Sequence, residues 1–316
     1  MPVPQECSAS AMRSTSDPLL TKFSGMTTLL RSALAAFTAS LGLCLTLAGQ
    51  TPQGGNTKAF VGATVIDGTT GGRPVPDAVV VVRDQRIVAI GPAKATPVPT
   101  GATRIDVPGR TIVPGLINSH GHIGSASGLE TGAALNTTEN VQRQLALNAR
   151  YGITTVVSLG DDREPGFAAR DANDKPDLDR SRLFVAGPVI TGKTPDEARA
   201  AVDAAAKLKP DWIKIRVDDN LGSTPKMTPD VYTAVIEQAH KHKLRVAAHL
   251  YYLDDAKGLL RAGVDLIAHS IRDAPVDKEL TDLMKARNVC LSPTLMREVS
   301  TFVYETRPAF SERGRS

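Results

Sequence analysis

Few cysteines, few aromatics and no long apolar run set the first limits on this chain. Cysteine occurs three times in 316 residues, at Cys7, Cys44 and Cys290, and never as CxxC. A disulfide scaffold or a thiolate zinc site is therefore not written into the sequence. Two of the three precede residue 50, in a stretch read below as a removable leader, so Cys290 reads as a free thiol packed as a small hydrophobe. Aromatic residues make up 4% and do not interleave with a basic stripe; 37 Lys and Arg against 33 Asp and Glu are dispersed and leave +4. That pattern excludes a nucleic-acid footprint, and the small basic excess bears on solubility alone. The longest apolar stretch, Ala33 to Leu47, is about 15 residues and dotted with Ser, Thr and Gly, against the ~20 that a spanning helix needs. A glycine-rich GxGxxG crossover is also missing, which argues against an open dinucleotide-binding sheet.

What is present is globular: 41% hydrophobic and 22% charged residues, enough chain for one large domain and a small one. Residues 1–50 read as a leader, in which 26–49 resembles a secretory signal: Arg31, an apolar core, then Ala48 and Gly49 before polar "QTPQGGNTK". The expectation is export, to a bacterial periplasm or outside the cell, with Met26 as an alternative start. Bulky Leu43 ahead of Cys44 argues against a lipoprotein site. Residues 51–57 read as a linker. Residues 58–110 read as a β-module, with "KAFVGATVIDG", "DAVVVVRDQRIVAIG" turning at Arg83-Asp84-Gln85, and "TRIDV".

From residue 111 the grammar changes to β-α repeats. Strand-like "TIVPGLINSH", "ITTVVSLG", "RLFVAGPVI", "DWIKIRV", "RVAAHLY", "DLIAHSI" and "VCLSPTL" alternate with five amphipathic stretches, two of which open on Thr-Pro-Asp, with Thr able to cap and Pro suited to the first helical position. Seven such strands predict a (β/α)8 barrel of the TIM type over 111–303 that lacks its last unit, preceded by a partial β-sandwich, with 304–316 an irregular tail.

Strand alternation then sorts the polar residues. In "DWIKIRVD", Ile213, Ile215 and Val217 make an outer face, leaving Trp212, Lys214 and Arg216 inward. In "VAAHLY", Ala247 and His249 point inward; in "DLIAHS", Leu266 and Ala268 share one face and Ile267 and His269 the other; in "LINSHGH", Leu116, Asn118, His120 and His122 share a face. Four histidines and a lysine from four strands thus sit near strand C-terminal ends on one side, where barrel enzymes gather catalytic groups. A buried ammonium is costly unless paired or modified. Imidazoles are preferred ligands of zinc-like divalent ions, Gly121 permits close backbone approach, and a neutral Lys214 that takes up carbon dioxide becomes an anionic carbamate able to bridge two cations. One or two such ions would polarise a carbonyl and activate water, which is hydrolytic chemistry. An ion pair between Lys214 and an Asp is the competing interpretation, and it leaves the histidines one metal.

"VPGLINSHGH", "DWIKIRV", "VAAHLYY" and "LIAHS", in this order and spacing, resemble the amidohydrolase superfamily, in particular imidazolonepropionase-like and Xaa-Pro-dipeptidase-like members, over residues 58–307. The resemblance implies His120 and His122 on a first metal, His249 and His269 on a second, and carboxylated Lys214 between them. It implies hydrolysis of a C–N bond in a small-molecule or dipeptide substrate. The family takes a further Asp from strand eight, and none follows here, so the expectation is a C-terminally truncated member, with a non-catalytic remnant that keeps its metal ligands as the alternative. Asp161 and Asp162 could supply a carboxylate, although "LGDD" is also an ordinary turn. Arg216 and Tyr251 are candidate substrate contacts, by ion pairing and by a hydrogen bond to the scissile carbonyl. His240 and His242, among lysines at a helix end, read as a solvated last turn. The sequence leaves oligomeric state open, a homo-oligomer included.

Overall fold

The computed structural model describes residues 56–295 apart from 70, 176 and 221. The signal-like segment 26–49, Cys7, Cys44 and the tail 304–316 lie outside the described residues. The chain divides into two compact units between Pro114 and Gly115.

The first unit is a mixed sheet. Its strands are β1 (Thr57–Val65), β2 (Val75–Arg83), β3 (Arg86–Pro92), β4 (Thr103–Asp106) and β5 (Thr111–Ile112). They run in the order β3-β2-β1-β4, with β5 also on β1; β2 is antiparallel to both neighbours, while β4 and β5 run parallel to β1. The β2–β3 turn is made by Asp84 and Gln85, both at positive φ (47° and 67°), the geometry whose twist suits a two-residue hairpin. The run of valines in β2 serves both faces: Val79 and Val81 pack with Ala59 and Val61, and Val80 with Val65 and Ala78.

The second unit alternates strands and helices: β6 (Leu116–Gly121), the hairpin β7 (Ala126–Ser127) and β8 (Glu130–Thr131), α1 (Thr138–Arg150), β9 (Ile153–Ser158), α2 (Glu164–Asp171), β10 (Arg182–Val185), β11 (Val189–Ile190), α3 (Pro195–Ala206), β12 (Trp212–Arg216), α4 (Pro229–Lys241), β13 (Arg245–His249), α5 (Leu253–Ala262), β14 (Leu266–Ala268), α6 (Lys278–Arg287) and β15 (Cys290–Ser292). All strand pairings except the β7–β8 hairpin are parallel, in the orders β10-β9-β6 and β11-β12-β13-β14-β15. The stretch "RLFVAGPVI" supplies one strand to each sheet, β10 and β11. It breaks at Ala186-Gly187-Pro188, because Gly187 takes φ 71° and proline has no N–H to give the ladder. The carboxylate of Asp162 occupies the gap, accepting from the amides of Ala186 (2.9 Å) and Gly187 (3.1 Å). At the other side Ser119 Oγ on β6 and Ser292 Oγ on β15 are 2.9 Å apart.

Alternation sorts the core into two layers. Ile213, Ile215, Val217, Val246, Ala248, Leu250 and Ile267 pack outward against α3, α4 and α5. Trp212, Ala247, Leu266 and Ala268 face the other way, against Val157, Leu159 and Ala186. Each fully buried Ile or Leu contributes roughly 1.5–3 kcal/mol, so this two-sided pattern fixes the register of every strand. Of the two Thr-Pro-Asp starts, Thr194 caps α3 by accepting from Glu197 N, whereas the Thr228 hydroxyl turns to Asp230 and α4 has no side-chain cap. Helix α2 and the β7–β8 hairpin carry no sequence expectation. Pro165 and Gly166 read as breakers in α2, yet the proline sits in its first turn, where no N–H is required. Cys290 is half-buried and disulfide-bonded, which corrects the free-thiol reading; its partner lies outside the described residues. No described helix is long and apolar enough to cross a membrane.

Candidate metal centre

The C-terminal ends of the parallel strands surround a cavity of about 900 Å³. Into its wall come His120 and His122 from β6 and the residues following it, Lys214 from β12, His249 from β13 and His269 after β14. Their rings lie side by side, with centroids 5.3 Å apart for His120 and His122, 4.4 Å for His120 and His269, and 4.2 Å for His249 and His269. Lys214 Nζ is 3.4 Å from His120 Nε2. All five residues named from the sequence are therefore brought together. Among the described residues no three His, Cys, Asp or Glu side chains are drawn in tightly enough to form a ready-made cage; the imidazoles meet tilted or edge-on and the fifth donor is a lysine.

Three of the rings are held from outside by a second partner. His122 Nδ1 lies 3.4 Å from the Gly160 carbonyl. His249 Nε2 donates to Asp218 at 2.8 Å, and His269 Nδ1 is 2.7 Å from Thr294 Oγ1. An outer hydrogen bond on one ring nitrogen fixes the tautomer and leaves the other nitrogen as a lone-pair donor. Burial above all, with the Lys214 charge behind it, pulls the pKa of His122 down; burial does the same to His249. Neutral imidazole is the form that binds metals. Burial, with Arg216 as the second cause, pulls Lys214 down to about 7. Burial pushes Asp218 up, but hydrogen bonds from His249 and Arg216 prevail and hold it well below the usual carboxylate range.

Glycines make room for these groups. A Cβ on Gly160, at φ 123°, would stand 2.7 Å from Val189 Cγ2, with Lys214 and His122 just beyond. Gly121 also lacks room for a side chain: its Cβ would meet Val156 Cγ1 at 2.8 Å.

Arg216 lines the cavity, its Nε donating to Asp218 (2.9 Å) and its NH2 to Asn220 (2.7 Å). Asp161 is the one carboxylate among the described lining residues. Asp162 is turned away from the cavity into the β10–β11 break, where burial raises its pKa to about 7. Tyr251 is not among the described lining residues; its ring lies 4.7 Å from the Arg272 guanidinium and edge-on to Tyr252, whose hydroxyl donates to Asp219. His240 and His242 point elsewhere, to Asp265 and Asp203 on the surface. Two functional side chains were missed from sequence. Asp218 was within reach, since the alternation of Trp212, Lys214 and Arg216 arrives there next. Thr294 left no signal of that kind.

Residues 111–310 match the model of the amidohydrolase family. An uncharacterized protein of Mycobacterium tuberculosis is 28% identical over 196 residues, 60% of this chain and 51% of its own length. This chain thus spans about half the length of that relative. An imidazolonepropionase from Methylobacterium sp. is 41% identical over 61 residues, 19% of this chain and 15% of the relative. A crystal structure of a Xaa-Pro dipeptidase with bound methionine superimposes with a TM-score of 0.68 at 22% identity, covering 78% of this chain and 69% of that one. That likeness is one of fold.

Proposed function

The chain belongs to the amidohydrolase family, and from that premise we propose a divalent-metal-dependent hydrolase that cleaves the C–N bond of a small amide, cyclic amide or dipeptide with water as nucleophile. The parallel strands of the second unit are read as those of a (β/α)8 barrel, a reading supported by the Ser119–Ser292 approach between β6 and β15. The observation that carries the proposal is the convergence of His120, His122, His249, His269 and Lys214 on one cavity at the strand C-termini.

The donor set fits one or two zinc ions: four nitrogen ligands, with outer partners on three of the rings. His120 and His122 would hold the first ion and His249 and His269 the second. A lysine with its pKa drawn to about 7 is a nucleophile toward carbon dioxide. Addition of carbon dioxide at Nζ with loss of a proton gives a carbamate, an anionic oxygen donor that would join the histidines in holding the ions. The ions, when bound, supply Lewis acidity toward the carbonyl and hydroxide near neutral pH. The protein's own residues do the rest. Asp161, as the lining carboxylate, takes the proton of the attacking water and returns it to the leaving nitrogen. Arg216, fixed by Asp218 and Asn220, presents its remaining N–H groups to a substrate carboxylate.

The test is turnover of Xaa-Pro dipeptides and cyclic amides by the full chain with added zinc and bicarbonate. Turnover that is lost in Lys214→Ala and falls about 10²–10⁴-fold in Asp161→Asn supports the proposal. Stoichiometric zinc without turnover contradicts the hydrolase and leaves a metal-binding site, and wild-type activity in Lys214→Ala contradicts the carbamate.

A further inference from the structure

Strict alternation along β14 sends Ile267 to the outer layer, where it is packed, and should send His269 after it. His269 is instead 5% exposed, with its ring against His120 and His249 inside the cavity. What turns it is the backbone, which takes φ 79° immediately after the strand ends. Facing it, Thr294 takes φ 49°, a left-handed conformation that a β-branched residue rarely adopts. Three hydrogen bonds tie the two segments: His269 N donates to Ser292 O (2.9 Å), Ser270 Oγ donates to Pro293 O (2.8 Å), and His269 Nδ1 meets Thr294 Oγ1 (2.7 Å). Strained backbone persists where its surroundings over-determine it, and such residues gather at functional sites. Here the two outliers bond to each other through their side chains, and both line the cavity.

We propose that Thr294 is the positioning residue of His269: its Oγ1 accepts from Nδ1–H, fixing the tautomer whose Nε2 lone pair is offered to the cavity. The paired left-handed turns bring a histidine that the strand pattern would face outward to the inside, and the hydroxyl then holds its ring. Thr294 does not touch substrate in this role; it acts through His269. The inference rests on the metal-site reading for its purpose, although the tautomer stands apart from it.

The experiment uses the full chain, stripped with chelator and labelled with ¹⁵N-histidine, with His269 assigned by the signals lost in His269→Gln. At about pH 8, where an ordinary imidazole is neutral, wild type and Thr294→Ser should show the Nδ1–H tautomer at His269. Thr294→Val and Thr294→Gly should show a mixture. Zinc affinity should fall about 10–100-fold in the Val and Gly variants and be largely restored in Ser. The Gly variant relieves the backbone rather than straining it, so it keeps the test open if Val does not fold. An Nε2–H tautomer in the wild type, or wild-type tautomer and zinc affinity in both Val and Gly, overturns the proposal. The expected tautomers in a protein that binds no zinc would overturn the metal-site reading and leave the role of Thr294 standing.

Discussion

A methyl group at Gly160 would press on Val189, a residue of the cavity wall. Gly160 combines φ 123° with a Cβ position 2.7 Å from Val189 Cγ2, whereas Gly128, at φ 61°, has nothing within 4 Å of its Cβ. Gly160→Ala should therefore cost more than the roughly 1–2 kcal/mol that left-handed backbone alone costs at Gly128→Ala. Urea unfolding of the two variants checks the order, and equal costs would mean that Val189 yields freely. Asp218 is the second residue to probe. It holds His249 by Nε2 and is itself held by Arg216, so Asp218→Ala should weaken zinc binding about 10–100-fold without removing a ligand, as calorimetry would read. At this scale the sequence was legible wherever strand period governs: Lys214 and His249 face inward as alternation requires. Alternation also named His269 for the cavity, grouping it with Ile267, but Ile267 packs outward and His269 comes inside by a positive φ that no periodicity encodes.

Among the elements, the third strand position of the second unit is a joint between sheets, since β10 and β11 belong to different sheets and Asp162 bridges their ends. Burial raises that carboxyl from 3.8 to about 7. Between those values the folded protein binds more protons at Asp162 than the unfolded chain, so stability is full below about pH 4 and falls as pH rises through 7. Asp162→Asn does not titrate. Its melting temperature should gain on the wild type as pH rises through that window, and parallel Tm–pH curves would show that the site is less buried than it stands. The strands announced themselves by apolar runs bounded by Gly, Pro and Asp, and α3 by a Thr-Pro-Asp start. Helix α2 did not, because its Pro165 and Gly166 carry a breaker signature that position alone redeems. The strand-three break was equally hidden, since "AGP" within an apolar run reads as a kink rather than a change of sheet.

For the whole molecule, the family match covers residues 111–310 and the site lies in the second unit. Repeated β-α grammar indicated the parallel sheet that the second unit shows. What no composition or pattern conveys is whether five donors from four strands meet closely enough to act as one site. Calorimetric titration of zinc into the chelator-stripped full chain, in bicarbonate buffer, tests that most directly. Saturable binding of one or two equivalents, abolished when His120 and His122 are both replaced by Asn, is the outcome this account expects. A wild-type chain that takes up no zinc, or a double variant that binds it unchanged, would contradict it.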